Sequence, residues 1–104
     1  MKKIECFLRP EVAQEVVEAL KLAGATGVTV IPAQGFGVER VPDAILRPKT
    51  KLEILTDEAA LPDLLDAITD QARSGRIGDG KIVVSSVEEV IRVRTGETGV
   101  GALY

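Results

Sequence analysis

The chain contains no histidine, no tryptophan and one cysteine among its 104 residues. Without histidine, the usual transition-metal clusters and the histidine-based nucleophile arrangements cannot be assembled in a single copy. A lone cysteine excludes an intramolecular disulfide, and Cys6 falls in an apolar strand pattern that marks it as a buried structural thiol. Two Phe and one Tyr are the only aromatics, and the net charge is −3. General nucleic-acid binding draws on a basic surplus and, for single strands, on aromatic platforms, so no nucleic-acid partner is expected. No apolar run approaches the roughly 18 residues of a membrane span, and no signal segment precedes the first strand. The expectation is a cytoplasmic protein with no direct membrane insertion, whose link to a membrane would run through a partner.

What remains is an ordinary globular balance, 28% charged and 45% hydrophobic, in a length that suits one domain over residues 1–104. A chain this small gains from burying surface against other copies. The carboxylate pairs Asp63/Asp66 and Glu88/Glu89 read as solvated surface charge.

Ile4 to Leu8 alternates as a strand that Pro10 stops. From Glu11, Val12, Val16, Ala19, Leu20 and Ala23 recur at helical spacing, and Gly24 is placed to end that helix. Val28 to Ile31 gives a second strand running on toward Gly35, and Pro32 suits an edge or an irregularity. Gly35 to Asp43 carries no sustained periodicity and reads as an exposed connection, with the flexible loop spanning about residues 37–48. Lys49 to Leu55 alternates again, with Thr50, Leu52 and Ile54 on one side and Lys49, Lys51 and Glu53 on the other. Leu61, Leu64, Leu65, Ile68 and Ala72 mark a second amphipathic helix, with Pro62 acceptable in its first turn. Lys81 to Val84 is the fourth strand.

An internal repeat supports this order. Lys3-Ile4-Glu5 recurs as Lys51-Leu52-Glu53, and at the same offset Glu18-Ala19-Leu20 recurs as Asp66-Ala67-Ile68. Two strand-helix-strand halves give an α+β, ferredoxin-like βαββαβ domain, an antiparallel sheet with both helices on one face. Alternation over Val90 to Arg94 adds a short C-terminal strand, followed by a tail over about 95–104. The sheet's second face has no cover left in the chain, so a homo-oligomer that buries it is expected.

Gly75-Arg76-Ile77-Gly78-Asp79-Gly80-Lys81 is the stretch that bears on chemistry. Its glycines permit backbone angles closed to other residues and leave successive N–H groups free to face an anion. Neither phosphate-loop template fits, since Gly-Lys-Ser/Thr is missing and a strand follows where a helix is required. Two readings stand on these residues alone, an anion cradle or a glycine-rich turn into a strand. Arg92 and Arg94, two residues apart, would lie on one strand face, where paired guanidiniums match phosphate oxygens or simply solvate the surface.

The chain resembles the nitrogen-regulatory P-II signalling proteins over nearly its whole length. The resemblance rests on Met1-Lys2-Lys3-Ile4-Glu5, Arg9-Pro10, Gly27-Val28-Thr29-Val30, Gly35-Phe36-Gly37, Lys49-Thr50-Lys51-Leu52-Glu53-Ile54, the block Gly75 to Ile82, and Ile91-Arg92-Val93-Arg94-Thr95-Gly96-Glu97. It implies a homotrimer with an adenine nucleotide (ATP, ADP or AMP) in each cleft between subunits. Gly78, Asp79, Gly80 and Lys81 would hold the phosphates, with Arg92 and Arg94 reaching in from the tail. Thr29, Gly35, Gly37 and Glu53 match further nucleotide-site positions. Lys49 matches the lysine that pairs with 2-oxoglutarate, a small-molecule effector of the family. By this resemblance the protein is not an enzyme, has no catalytic residue, and reports to a protein target through a loop.

The loop between Gly37 and Lys49 is shorter than is usual in the family and lacks its modified tyrosine. Val38 and Glu39 stand where the family has a phosphate-contacting arginine and a glutamine that helps hold magnesium and 2-oxoglutarate. A carboxylate there repels terminal phosphates unless a metal bridges them. The expectation is ADP or AMP in preference to ATP, an open question for magnesium, and weak or absent 2-oxoglutarate binding. Arg40 would return positive charge from a shifted register. Bicarbonate or another small anion near Lys49 and Arg40 is the alternative effector, and a membrane transporter or a metabolic enzyme the expected target. Two other readings remain, a slow nucleotide-hydrolysing enzyme using Lys81 and the arginines, and a structural trimer with a vestigial site.

Overall fold

Alternation in the two halves of the repeat builds the centre of the molecule. In the computed structural model, which describes residues 1–37 and 46–104, strands β1 (Lys2–Leu8) and β3 (Arg47–Thr56) lie side by side and antiparallel. Ile4, Cys6 and Leu8 of β1, with Leu52 and Ile54 of β3, point to one face and are buried. Helices α1 (Pro10–Leu22) and α2 (Leu61–Ala72) cover that face through Val16, Leu20, Leu64, Ile68 and Ala72. Strand β2 (Thr29–Gly35) pairs with β3 and strand β4 (Lys81–Ser86) with β1, so the order is β2-β3-β1-β4, all antiparallel. This is the ferredoxin-like βαββαβ arrangement, with β2 and β4 as edges. Pro32 therefore sits on an edge strand, where its missing N–H is tolerated.

Local chemistry sets the helix ends. Pro10 opens α1 at its first position and Glu11 lies in the positive first turn. Gly24, at φ 98°, turns the chain out of α1, and the Ala25 N–H returns to Leu20 O at 2.9 Å. Ahead of α2, Asp57 Oδ1 accepts the Ala60 N–H at 2.8 Å.

The tail differs from the short strand expected over Val90 to Arg94. A single antiparallel bridge joins Ile91 to Thr98, with Arg92 N–H donating to Glu97 O and Gly96 N–H to Arg92 O, both at 2.8 Å. Gly96, at φ 75°, permits the reversal. Arg92 thus stands at the base of a tight turn and Arg94 within it, rather than along one strand face. A 3-10 helix, Gly99–Leu103, follows.

The second sheet face carries Lys3, Glu5 and Phe7 of β1 and Lys51, Glu53 and Leu55 of β3. Lys51 Nζ reaches Glu5 at 2.9 Å and Glu53 at 3.1 Å, while Lys3 Nζ lies 3.4 Å from Glu53 and 3.8 Å from Glu5. Phe7, Leu55 and Val83 remain exposed around this quartet.

Candidate functional site

The glycine stretch joins α2 to β4, and its shape is set by one carboxylate. Asp79 Oδ2 accepts the N–H groups of Ser74 at 2.7 Å and Gly75 at 2.8 Å. Its Oδ1 accepts the Ser74 hydroxyl and Arg9 Nη1, the latter at 3.0 Å. Those four donors hold the Asp79 carboxyl down at about 2, the Ser74 hydroxyl foremost. Arg9 Nη2 donates to Ile77 O at 2.6 Å. Gly75, Gly78 and Gly80 all take positive φ, 82°, 98° and 107°. At Gly80 a β-carbon would also overlap the carbonyl oxygen of Phe7, so the loop lies directly on the end of β1. Lys81 begins β4 opposite Phe7 and is exposed.

Thr29 and Glu53 meet on the other side of the sheet. They face each other across β2 and β3 and line an open hollow of about 500 Å³ with Lys3, Leu55, the 26–28 segment, Ala102 and Leu103. Glu53 is held below the usual carboxylate range chiefly by its bond from Lys51, with Lys3 adding to it. The tail forms one wall of the hollow. Arg92 Nη2 donates to Gly101 O at 3.1 Å, and Nη1 lies 3.4 Å from Glu97 Oε1, so its guanidinium is tied to the segment that lines it. Tyr104 fixes the end of that segment by donating its hydroxyl to Asp57 Oδ2 at 2.9 Å.

The expected site residues therefore fall into two groups. Thr29 and Glu53 line the hollow, which extends from β2 over β3 to Lys3 of β1, and Arg92 is bonded to the tail next to it, whereas Gly78 to Lys81 lead into β4, the edge opposite β2. Three strand spacings separate the two edges, about 14 Å. One copy does not bring the groups together. Gly35 lies at the far end of β2 from Thr29, about 20 Å along the strand. Lys49 pairs with Ala33 near that end, and Gly37 follows it. Glu39 and Arg40, with Val38, lie outside the described residues. Among the described residues no cluster of three or more acidic or thiol side chains suits a metal ion, and no helix is long and apolar enough to cross a membrane.

Comparison with known proteins supplies the identity. The family model described as nitrogen regulatory protein P-II matches residues 1–97. The chain belongs to the P-II family. Proteins named nitrogen regulatory protein P-II from Mesorhizobium japonicum and Rhizobium meliloti are each 45% identical to it, and one from Azospirillum brasilense 42%. Each alignment covers 99% of this chain and 100% of the relative, over 112 positions. The family is one of regulatory signal-transduction proteins in nitrogen control, and these relatives are named as regulators rather than enzymes.

Within this P-II chain, sequence reading did not single out Arg9, Ser74, Asp57 or Tyr104 as shaping the two groups of residues. Arg9-Pro10 was legible as a block but not as a partner of Asp79, because the two are 70 residues apart. The signal was the topology itself, since βαββαβ brings the end of β1 against the start of β4.

Proposed function

We propose that this P-II protein is a homotrimeric nitrogen-signalling sensor of one domain that binds an adenine nucleotide between neighbouring copies. The base is taken by the hollow of one copy and the phosphates by the glycine loop of the next. The observation that carries this reading is the meeting of Thr29 and Glu53 in one open hollow that β2 borders, with the glycine loop and exposed Lys81 at the β4 edge. Each copy presents half a site on each edge, so a closed ring of copies completes every site, as a rotationally symmetric assembly requires. Thr29 and Glu53 offer a hydroxyl and a carboxylate to base edges, and Gly78, Gly80 and Lys81 offer N–H groups and an ammonium to phosphates. Arg92, redirected from Glu97, and Arg94 add guanidiniums at the seam. Gly35, Gly37 and Lys49 flank in sequence the segment with Glu39 and Arg40, and a small-molecule effector such as bicarbonate would bind near Lys49 and Arg40.

The nucleotide state is passed to a protein target, a transporter or metabolic enzyme, through the segment between Gly37 and Lys49. The protein acts in the cytoplasm. Calorimetric titration with AMP, ADP and ATP, with and without magnesium, 2-oxoglutarate and bicarbonate, tests this. ADP or AMP should bind more tightly than ATP, without help from 2-oxoglutarate. ATP binding strengthened by magnesium and 2-oxoglutarate together would reject the preference, and no binding of any nucleotide would reject the sensor.

A further inference from the structure

We propose that Arg9 is a positioning residue for phosphate binding, acting through Asp79 to hold the glycine loop in its anion-facing shape. The inference rests on the nucleotide reading above and concerns which residues make the loop competent.

Three glycines at positive φ within six residues give a segment with wide conformational freedom in the unfolded chain and little side-chain packing to recover it. Such a loop keeps one shape only if something closes it. The Asp79 carboxylate does so from inside. Its two oxygens accept four hydrogen bonds, from Ser74 N–H, Gly75 N–H, the Ser74 hydroxyl and Arg9. Four is about the full acceptor capacity of a carboxylate, so Asp79 has no lone pair left for a ligand or its metal. Its place among the expected phosphate-site residues is then explained by the loop it organises.

Arg9 makes this arrangement tolerable beside a phosphate. The ion pair to Asp79 at 3.0 Å neutralises a carboxylate that would otherwise repel the ligand's charge. The second arm of the same guanidinium takes Ile77 O at 2.6 Å, fixing the loop at a second point. Both side chains are about three-quarters shielded from water, at 23% and 22% exposure. Arg9 is itself rigidly mounted between β1 and α1, its backbone extended ahead of Pro10 and its carbonyl accepting the Val12 N–H at 3.2 Å. Gly78 belongs to the same device, because a β-carbon there would stand 3.0 Å from Arg9 Nη2.

The test compares wild type, Arg9→Lys and Arg9→Ala by calorimetry with adenosine and ADP, and by amide hydrogen exchange at Ser74 and Gly75. Arg9→Ala should weaken ADP by about tenfold or more, the scale of a lost charge-assisted bond, while adenosine affinity stays within about twofold. Arg9→Lys, which keeps charge but not the fork, should fall between, and Ser74 and Gly75 should lose protection in the order Lys then Ala. Equal losses for adenosine and ADP would mean a general structural defect and overturn the inference. So would unchanged ADP affinity, or unchanged protection, in Arg9→Ala. Should Arg9→Ala not fold, Arg9→Lys carries the same comparison. Failure of wild type to bind ADP sinks the nucleotide reading and the phosphate role of Arg9 with it, whereas the exchange data still decide whether Arg9 shapes the loop.

Discussion

Glu5 and Glu53 stand directly opposite each other on the uncovered face of the sheet, in register across β1 and β3. Two carboxylates so placed repel, and the pairing is viable because Lys51 bridges both at 2.9 and 3.1 Å while Lys3 approaches from the other side. The internal repeat produces this: two Lys-x-Glu segments, folded antiparallel, interleave their charges. Lys51 is correspondingly raised above its usual 10.5, first by its bond to Glu5 and then by that to Glu53.

Lys51→Met should lower the melting temperature at neutral pH, because it leaves the two glutamates facing each other with Lys3 alone between them. The sign with pH is fixed. Glu53, lowered from its usual 4.5 by Lys51 and Lys3, contributes stability that is present above 4.5 and lost as pH falls through its folded value. The difference between wild type and variant should be widest near neutrality and shrink once the carboxylates protonate. Thermal unfolding across that range checks it, and a difference independent of pH would count against the quartet.

Gly80→Ala should destabilise by about 1–3 kcal/mol, since the new β-carbon meets the Phe7 carbonyl and the residue keeps φ 107°. Gly35→Ala meets no atom within 4 Å and should change stability by less than about 0.5 kcal/mol. Denaturant melts of the two variants give the comparison. Equal effects would mean that the close approach of loop and β1 is not a constraint.

Much of this architecture was readable because burial imposes a period. Leu52 and Ile54 face the helices while Lys51 and Glu53 face away, and the repeat linked the halves, so strands, helices and their order followed. The tail was not readable in the same way. Val90 to Arg94 alternates like a strand, yet Gly96 folds it back on Thr98 before a pairing edge is reached. Alternation states which residues could share a face, not whether a partner strand exists. The glycine loop left two readings open, an anion cradle or a turn, and the resemblance put Asp79 among the phosphate holders; three of its donors come from nearby Ser74 and Gly75, whereas Arg9, 70 residues away, is a tertiary contact that sequence spacing does not encode.

Acid should open the glycine loop at an unusually low pH. Asp79 is lowered from the usual 3.8 to about 2, so the order it confers is present above 3.8 and is lost as pH falls through about 2. Following the Gly75 amide resonance during acid titration should give a midpoint near 2. A midpoint near the ordinary aspartate value would show that the carboxylate is not closed inside the loop.

The C-terminus should respond at the other end of the scale. Tyr104 donates to Asp57 Oδ2, and this bond raises the phenol above its usual 10.0. Its contribution is therefore present below that value and lost as pH rises through the raised one. Asp57 is lowered from 3.8, mainly by the Ala60 N–H and then by Tyr104, so its share is lost only in acid. Between these limits the bond keeps Ala102 and Leu103 against the hollow that holds Thr29 and Glu53. Tyr104→Phe should speed amide exchange at Ala102 and Leu103 several-fold near neutrality with little change in melting temperature, because Asp57 retains its bond from Ala60. Above the phenol's ionisation the wild type should loosen at these residues while the phenylalanine variant, having no proton to lose, does not change further. Parallel behaviour of the two proteins at alkaline pH would mean that packing of Leu103, rather than the tyrosine, holds the tail in place.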